Sequence, residues 1–484
     1  MTPGARVAAT MELLDAIVSQ PLREGRARPA DGVANAYFRT RRFIGGGDRR
    51  AVSDRVWGIL RRWGQLYWWL ERTRHPDRSP SGDRSARAIV AADLMLHEGV
   101  KLAELEAMFD GGRYRPAPID DAERRALRQM EGHSLPHPEQ PDWVRLNVQE
   151  WVAPHLRDAY GDAWGREIAA LETPPPVDLR VNRIKATPEQ ARKALHGEGI
   201  ETEPMRYAPD GLRLKRRLSV VAGPAFQEGL VEIQDEGSQL IAVLVGARPG
   251  MQVADYCAGA GGKTLAIAAG MNNKGRVVAM DVLETRLDRS AQRLRRAGLH
   301  NVERRSITDN AKWLKRQKGA FDRVLVDAPC TGTGTWRRNP DGRWTLAPKD
   351  LEELVPKQAD ILDQASRLVK PGGRLVYATC SVLPAENERQ IEAFLERHPE
   401  FAVTPIAELE LAPELAAGPY LRLSPLRHGT DGFFGAVLTR QGIDKEIERP
   451  RDRDHTDGYF DDLDDPDTGP HPDDVDHDPP RPEE

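Results

Sequence analysis

Two cysteines are the side chains of this sequence best suited to covalent chemistry. Cys330 follows Asp-Ala-Pro at residues 327–329, and Cys380 stands 50 residues further on in Thr-Cys-Ser. The chain has three cysteines, an odd number that argues against a disulfide framework. Thiolates are strong nucleophiles, so the pair has either a chemical role or a packing role as small buried residues. Their positions at the ends of two predicted strands favour the chemical role.

A glycine cluster follows the apolar run at residues 253–257 and precedes a helix predicted from Thr264. Glycines at positions 259, 261 and 262 let the backbone turn sharply, and the free N–H groups of the next helix attract an anionic group. The following predicted strand ends in Asp281, 20 residues beyond Gly261. At this spacing a carboxylate reaches a ribose, so the loop and the acid together predict a nucleoside cofactor.

Strand-like and helix-like segments alternate from residue 231 to residue 440. Helices are predicted at 264–269, 284–297, 348–369 and 386–397, and the strands between them end at Cys257, Asp281, Asp309, Asp327 and Thr379. This alternation predicts an α/β fold with a mostly parallel sheet, and its ligand-binding residues should meet at the carboxyl ends of the strands. Two last strands, near 420–424 and 433–438, are expected to pair antiparallel at the edge.

The motifs resemble those of the RsmB/Nop/NSUN (Sun/Fmu) family of S-adenosylmethionine-dependent RNA 5-methylcytosine methyltransferases. The resemblance covers residues 145–440 and rests on five motifs, which are Asp-Ala-Pro-Cys-x-Gly-x-Gly from 327, Tyr-Ala-Thr-Cys-Ser at 377–381, Gln-Asp-Glu-Gly-Ser at 234–238, Arg-Arg-Asn-Pro-Asp at 337–341 and His-Gly-Thr-Asp-Gly-Phe-Phe at 428–434. It implies the Rossmann-like sheet of a class I methyltransferase. One departure is in the glycine loop, where the family usually has Ala-Pro-Gly-Gly-Lys and this chain has Gly-Ala-Gly-Gly-Lys.

The resemblance also implies a role for each residue of the site. Cys380 would attack carbon 6 of cytosine, Cys330 would assist release of the methylated base, and Asp327 would hydrogen-bond the ring near nitrogen 3. DNA 5-methylcytosine enzymes use a Pro-Cys cysteine as the nucleophile instead, but the presence of both cysteines follows the RNA family. Lys263 would either close on a carboxylate or bind substrate near Asp327. The residues expected to bind S-adenosylmethionine are Cys257, Ala258, Gly259, Ala260, Gly261, Gly262, Lys263, Asp281, Asp309 and Asp327. Among them, Asp281 would take the ribose hydroxyls and Asp309 the adenine amino group.

Four parts are predicted along the chain. They are an all-α NusB-like domain at residues 1–140, a small α+β substrate-positioning subdomain at 141–230, the catalytic domain at 231–440 and a disordered acidic tail at 441–484. In the small subdomain, helices are predicted at 143–160 and 188–195, and strands are predicted at 179–183 and 212–221. Residues 451–484 carry 14 acidic and 3 basic side chains, so the rest of the chain is net positive although the whole has a charge of −5. So polar a tail cannot bury enough apolar surface to fold.

Several basic residues are predicted to contact RNA. Residues 21–80 hold 14 arginines with aromatic side chains between them. This composition fits RNA binding and equally fits a helical core with its arginines on the solvated face. Two further sets of residues also have two possible interpretations. Arg180, Asn182 and Arg183 would either contact RNA or bridge subdomains. Arg337 and Arg338 would either contact RNA phosphates or form a solvated pair.

The expected activity is methylation of carbon 5 of an accessible cytosine in RNA, with small-subunit ribosomal RNA favoured over transfer RNA. The rival hypothesis is a non-catalytic RNA-binding assembly factor. A nicotinamide-dependent dehydrogenase shares the glycine loop and acid, but it leaves both cysteine motifs unexplained. The sequence contains no run of 18 or more apolar residues, so no membrane-spanning helix is expected. A cytoplasmic monomer without a metal is therefore expected.

Overall fold

The computed structural model describes residues 1–19, 29–74, 86–308, 311–409 and 411–442. Asp309, the predicted adenine contact, and the acidic segment from residue 443 lie outside the described residues. None of the helices in the described ranges is long and apolar enough to cross a membrane.

The N-terminal part is built from helices packed around their own apolar core. They are α1 (Pro3–Val18), α2 (Ala30–Thr40), α3 (Gly46–Arg72), α4 (Ala86–Leu96), α5 (Leu102–Met108) and α6 (Asp121–Arg128). Apolar side chains recur every three or four residues along α3, which gives it one buried face. Trp63 and Trp69 lie on that face and are only 2% exposed. The helical-core interpretation therefore holds for these two tryptophans.

The helix predicted over residues 143–160 is interrupted. The structure has α7 (Asp142–Arg145), a 3₁₀ turn at Glu150–Val152, α8 (Ala153–Tyr160) and α9 (Trp164–Glu172). Asn147 breaks the helix because its φ of +48° is in the left-handed region. Its side-chain oxygen accepts a hydrogen bond from the backbone N–H of Gln65, so this break docks the segment against α3.

A small antiparallel sheet follows. It contains β1 (Asp178–Val181), β2 (Thr202–Pro204), β3 (Gly211–Leu214) and β4 (Val231–Ile233) in the order β2-β3-β1-β4, with α10 (Pro188–Gly197) and α11 (Pro224–Gln227) between strands. The strand predicted over 212–221 ends at Leu214, where three exposed basic residues begin. The strands β2 and β4 were not predicted, because three residues show too little alternation. The strand β4, assigned above to the catalytic domain, pairs with β1.

The large sheet carries the motifs. Its elements are α12 (Glu236–Leu244), β5 (Gln252–Asp255), α13 (Gly262–Gly270), β6 (Arg276–Asp281), α14 (Glu284–Ala297), β7 (Val302–Ser306), α15 (Ala311–Arg316), β8 (Phe321–Asp327), α16 (Gly342–Thr345), α17 (Pro348–Ser366), β9 (Val369–Thr379), α18 (Glu388–Arg397), β10 (Phe401–Val403), β11 (Leu421–Leu423), α19 (Pro425–His428) and β12 (Phe433–Arg440). The bounds predicted for α14 are confirmed, while α17 ends three residues early because β9 begins at Val369.

Strand order explains where ligands can bind. The sheet runs β10-β12-β9-β8-β5-β6-β7, with parallel pairing from β9 to β7 and antiparallel pairing around β12. The predicted antiparallel pairing of the last two strands is confirmed as β11 with β12, but β12 itself lies between β10 and β9 and not at the edge. From β5 the chain turns first towards β6 and β7 and later towards β8 and β9. The crevice at the carboxyl ends of β5 and β8 is therefore the switch point where such sheets bind ligands.

Candidate functional site

The two motif cysteines meet at adjacent strand ends. Cys330 follows β8 and Cys380 follows β9, and these strands are parallel neighbours. The Sγ atoms of the two residues are 3.4 Å apart. Both thiols are free and partly exposed. The sequence places these residues 50 positions apart, and the parallel register brings them into contact.

A buried ion pair stands beside the cysteines. Nζ of Lys263, in the first turn of α13, is 2.6 Å from Oδ2 of Asp327 at the end of β8. Burial alone would lower the pKa of Lys263, but the charge of Asp327 and its hydrogen bond, with a smaller contribution from Cys380, raise the pKa above its ordinary value. The ammonium group is therefore held in its charged form where it can stabilise a thiolate at Cys380. Lys263 thus contacts a carboxylate, that of Asp327, which fits the first of its two predicted roles, and its binding of substrate stays a prediction.

Cys330 is held as a neutral thiol. Its hydrogen bond with Cys380 is the largest of the effects that raise its pKa, followed by burial and by the negative charge of Glu386. An ammonium group therefore influences Cys380, whereas an acid influences Cys330. The surroundings divide two chemically identical side chains into a candidate nucleophile and a candidate proton donor.

Glu386 organises both cysteine loops, and the sequence analysis did not identify it. The side chain is fully buried, and its Oε1 accepts hydrogen bonds from the backbone N–H of Thr331 and from Nε2 of Gln358, both at 2.9 Å. The hydroxyl of Thr331 bonds the other carboxylate oxygen. Ser381, next to Cys380, is 3.2 Å from the same hydroxyl. The only sequence clue was the Pro-Ala-Glu-Asn run at residues 384–387, just after Thr-Cys-Ser.

The glycine loop has the form expected of a cofactor loop. Gly259 and Gly261 have φ values of +55° and +81°, which other residues adopt only with strain. Asp281 supports the turn, because its Oδ2 accepts a hydrogen bond of 2.9 Å from the Gly259 N–H. Cys257 packs against the core of the sheet, and burial raises its pKa, so it is a structural thiol.

Asp255 offers this loop an unused acceptor. Its Oδ2 receives a hydrogen bond of 2.6 Å from Thr264, while its buried Oδ1 has no partner in the described part of the chain. A buried acceptor of this kind suits a cationic ligand group such as the ammonium of an amino acid. With the glycine turn and Asp281, the residues present fit S-adenosylmethionine.

Asp255 should also make stability depend on pH. Burial, and secondarily the charge of Asp327, raise its pKa to about 7 against the hydrogen bond from Thr264. Because the folded state binds this proton more tightly than the unfolded state, stability falls as pH rises towards 7. Between pH 5 and 8, the free energy of unfolding of the wild type should fall by about 2–3 kcal/mol relative to Asp255→Asn, which cannot ionise. Urea unfolding of the cofactor-free proteins measures the difference, and parallel pH profiles would contradict it.

Arg337 and Arg338 are both paired with carboxylates, so they are not the solvated pair of the second interpretation, although 29% of the Arg338 side chain is exposed. Arg337 is 3% exposed. Both guanidinium groups hydrogen-bond the carboxylate of Asp431, and Nη2 of Arg338 is 2.8 Å from Oδ1 of Asp235. Three motifs separated by about a hundred residues each, at 234–238, 337–341 and 428–434, thus converge in one ion cluster. The buried guanidinium group of Arg337 has little capacity left for RNA phosphates, whereas phosphate contact by the partly exposed Arg338 stays a prediction.

Removing one carboxylate from this ion cluster should destabilise the protein strongly. Asp431→Ala leaves two arginines with Asp235 alone, and breaking a buried ion pair costs about 3–5 kcal/mol. The exposed pair of Asp288 and Arg304, 3.2 Å apart, provides the control. Asp288→Ala should cost less than about 1 kcal/mol. Chemical denaturation of both variants tests the difference, and equal losses would show that the cluster is not structural.

Two of the three residues predicted to contact RNA in or just after β1, Arg180 and Asn182, link the small subdomain to the catalytic part. Nη1 of Arg180 donates to Gln234 and, at 2.9 Å, to the carbonyl of Gly262. Asn182 donates to the carbonyls of Gly229 and Ala297. Both side chains are buried, so the bridging interpretation is correct for them. Arg183 remains half exposed and 3.6 Å from Asp210.

Comparison with known proteins agrees with this architecture. The family model described as "16S rRNA methyltransferase RsmB/F" matches residues 242–439, and a "Methyltr_RsmF/B-like, ferredoxin-like domain" model matches residues 148–221. The chain is 41% identical over 404 residues to the ribosomal RNA small subunit methyltransferase B of Salmonella typhi, and this alignment covers 81% of this chain and 91% of that protein.

Two solved structures share the fold. One, titled PH0851, has a TM-score of 0.73 and 25% sequence identity, covering 90% of this chain and 99% of that one. A methyltransferase homologue from Pyrococcus horikoshii has a TM-score of 0.54 and 31% identity, covering 62% of this chain and 97% of that one. The predicted class I methyltransferase sheet with preceding domains is confirmed.

Proposed function

This chain belongs to the 16S rRNA methyltransferase RsmB/F family, and we propose that it methylates carbon 5 of a cytosine in small-subunit ribosomal RNA through a covalent adduct with Cys380. The observation that carries the proposal is the contact of the two thiols, 3.4 Å apart, beside the Lys263–Asp327 ion pair. Carbon 5 of cytosine is a poor nucleophile. A group that adds to carbon 6 is therefore needed to activate it.

S-adenosylmethionine, the cofactor of this family, supplies an electrophilic methyl group when it is bound. The glycine loop would hold its methionine part, with Asp255 as an acceptor, and Asp281 would hold the ribose hydroxyls. A further assignment, Asp309 on the adenine, falls outside the described residues and stays a prediction.

Adduct formation is assigned to Cys380, Lys263 and Asp327. The thiolate of Cys380 forms a bond to carbon 6, and the electron pair of the 5,6 double bond moves towards carbon 5 and the ring nitrogen 3. Asp327 accepts a hydrogen bond from the exocyclic amino group near nitrogen 3, which orients the ring. The ammonium of Lys263 keeps Asp327 in position and stabilises the thiolate before attack.

Release is assigned to Cys330. Once carbon 5 carries its methyl group, a water molecule acting as base takes the carbon 5 proton, and the electron pair of that C–H bond forms the 5,6 double bond as the bond between sulfur and carbon 6 breaks and the sulfur leaves as a thiolate. The protonated thiol of Cys330 lies within hydrogen-bond distance of the Cys380 sulfur. It can donate to that sulfur as negative charge returns to it, which stabilises the leaving thiolate.

The domain division supports an RNA substrate. The N-terminal helices and the small antiparallel sheet have separate apolar cores, and we assign to them the roles of a NusB-like RNA-binding module and a substrate-positioning subdomain ahead of the catalytic sheet. The target base must leave its stack to reach Cys380. An accessible cytosine in a loop or bulge is therefore the expected substrate.

Labelling tests the function directly. The purified protein is incubated with tritiated S-adenosylmethionine and total RNA from a strain that lacks the gene, and labelled cytosines are mapped by bisulfite sequencing. A single labelled cytosine in small-subunit ribosomal RNA is expected. Label in transfer RNA would show that the substrate is transfer RNA and not ribosomal RNA. No label despite detectable cofactor binding would favour the assembly-factor hypothesis.

A further inference from the structure

The cofactor loop lacks the proline that the family usually has at position 260. Ala260 lies between Gly259 and Gly261, whose φ values of +55° and +81° make this the most permissive stretch of the loop. A proline would restrict such a segment, since it fixes its own φ and narrows the unfolded ensemble. With alanine between two glycines, the loop needs another restraint to keep one conformation.

The helix α14 provides contacts at this point of the loop. Nη1 of Arg293 donates a hydrogen bond of 2.6 Å to the carbonyl oxygen of Ala260. One turn earlier, Ser290 packs so closely against Gly261 that a Cβ on the glycine would lie 2.9 Å from the serine Cβ. Arg293 and Ser290 therefore lie on the same face of α14, and this face contacts both Ala260 and Gly261.

Arg293 is itself held in place by the small antiparallel sheet. Glu232 on β4 lies 3.4 Å from Nε of Arg293 and 2.6 Å from Nη2 of Arg296. From the neighbouring strand, Arg180 reaches the carbonyl of Gly262 at 2.9 Å. Two arginines with supports outside the loop thus bind two of its carbonyl groups. A bond from a charged donor is stronger than one between neutral groups, so these contacts can restrain the backbone.

We propose that Arg293 is a positioning residue for the cofactor, and that its bond to the Ala260 carbonyl replaces the conformational restraint of the missing proline. The loop is then pre-organised by a side chain from α14 and not by its own sequence. Pre-organisation raises affinity because binding no longer has to order the backbone. The proposal concerns S-adenosylmethionine binding alone, so it stands or falls independently of which base is methylated.

Restoring the proline provides the decisive test. Arg293→Met should raise the Kd for S-adenosylmethionine, measured by titration calorimetry, by about tenfold, the effect of losing one charge-assisted hydrogen bond. Adding Ala260→Pro to that variant should recover about two- to fivefold of the affinity. The backbone N–H of Ala260 donates no hydrogen bond in the described structure, so the proline removes none. In the wild type the same proline should have a smaller effect, because the loop is already held.

Control variants distinguish an effect of Arg293 on the position of the loop from a general effect of positive charge and from a loss of folding stability. Arg289→Met removes one positive charge from an exposed position of the same helix and should leave Kd unchanged. In methyl-transfer assays, Arg293→Met should raise KM for S-adenosylmethionine without changing kcat at saturation. If Arg293→Met lowers the Tm by more than a few degrees, Arg293→Lys, which keeps the charge, replaces it in the same cycle. An equal effect of Ala260→Pro in both backgrounds, or an unchanged Kd in the arginine variant, would overturn the proposal.

Discussion

Cys380→Ala protein is expected to fold and to bind S-adenosylmethionine but to lose methyl transfer by at least about 10⁴-fold, the loss typical when a nucleophile is removed from a covalent mechanism. No other described thiol can replace it. Cys257 is buried against the core, and the pKa of Cys330 stays raised in this variant because burial and the charge of Glu386 remain when the hydrogen bond with Cys380 is lost. Tritium incorporation into RNA measures the loss.

Folding and cofactor affinity are the controls for this variant. Its Tm and its Kd for S-adenosylmethionine should match those of the wild type, because Cys380 is partly exposed and small. Methyl transfer at the wild-type rate would exclude Cys380 as the nucleophile. The covalent mechanism proposed above would then have to be abandoned, while family membership would be unaffected.

Cys330→Ala protein is expected to remain attached to its RNA. Without the thiol 3.4 Å from the Cys380 sulfur, departure of that sulfur from carbon 6 loses its hydrogen-bond donor and becomes slow. Incubation with RNA and S-adenosylmethionine should therefore produce a slowly migrating protein–RNA band on a denaturing gel. The wild type should show at most a faint band under the same conditions.

The double variant Cys330→Ala/Cys380→Ala identifies the bond that holds the RNA. It should give no slow band, since the nucleophile is absent. A slow band from Cys380→Ala alone would show that the two cysteines have exchanged roles. The neutral thiol at Cys330 in the absence of substrate argues for the roles as proposed, because a protonated thiol is the weaker nucleophile.

The sequence predicted those helices and strands whose formation is specified by residues close together in the chain. The predicted bounds of α14 are those of the structure. The helix ends at Ala297, and Gly298 follows as its C-cap with a φ of +71°. Strand-end motifs placed Asp327, Cys330 and Cys380 at one edge of a parallel sheet, and the structure has them there. Short strands such as β2 and β4 were missed, because their stability comes from pairing partners and not from their own pattern.

The partners of charged side chains were the part of the site that the sequence could not predict. Arg337 and Arg180 were among the residues expected to contact RNA, yet both are buried, and their partners Asp431 and Gln234 are 94 and 54 residues away in the sequence. Glu386 was missed for the same reason, since its hydrogen bonds go to Thr331 and Gln358. Local sequence indicates that a residue is charged. It does not indicate whether the chain later returns to neutralise it.

Because the ion cluster includes Asp431, a chain still being synthesised can form the active site only after this C-terminal segment has been made. Gly334, four residues beyond Cys330, accepts a hydrogen bond from the backbone of Gly432, and their backbones are too close for a side chain on either. Asp431, beside it, neutralises Arg337 and Arg338. A nascent chain synthesised as far as residue 425 already contains both cysteines and the glycine loop, but not the segment that shapes the Cys330 loop. Ribosome-bound intermediates of that length should therefore lack activity.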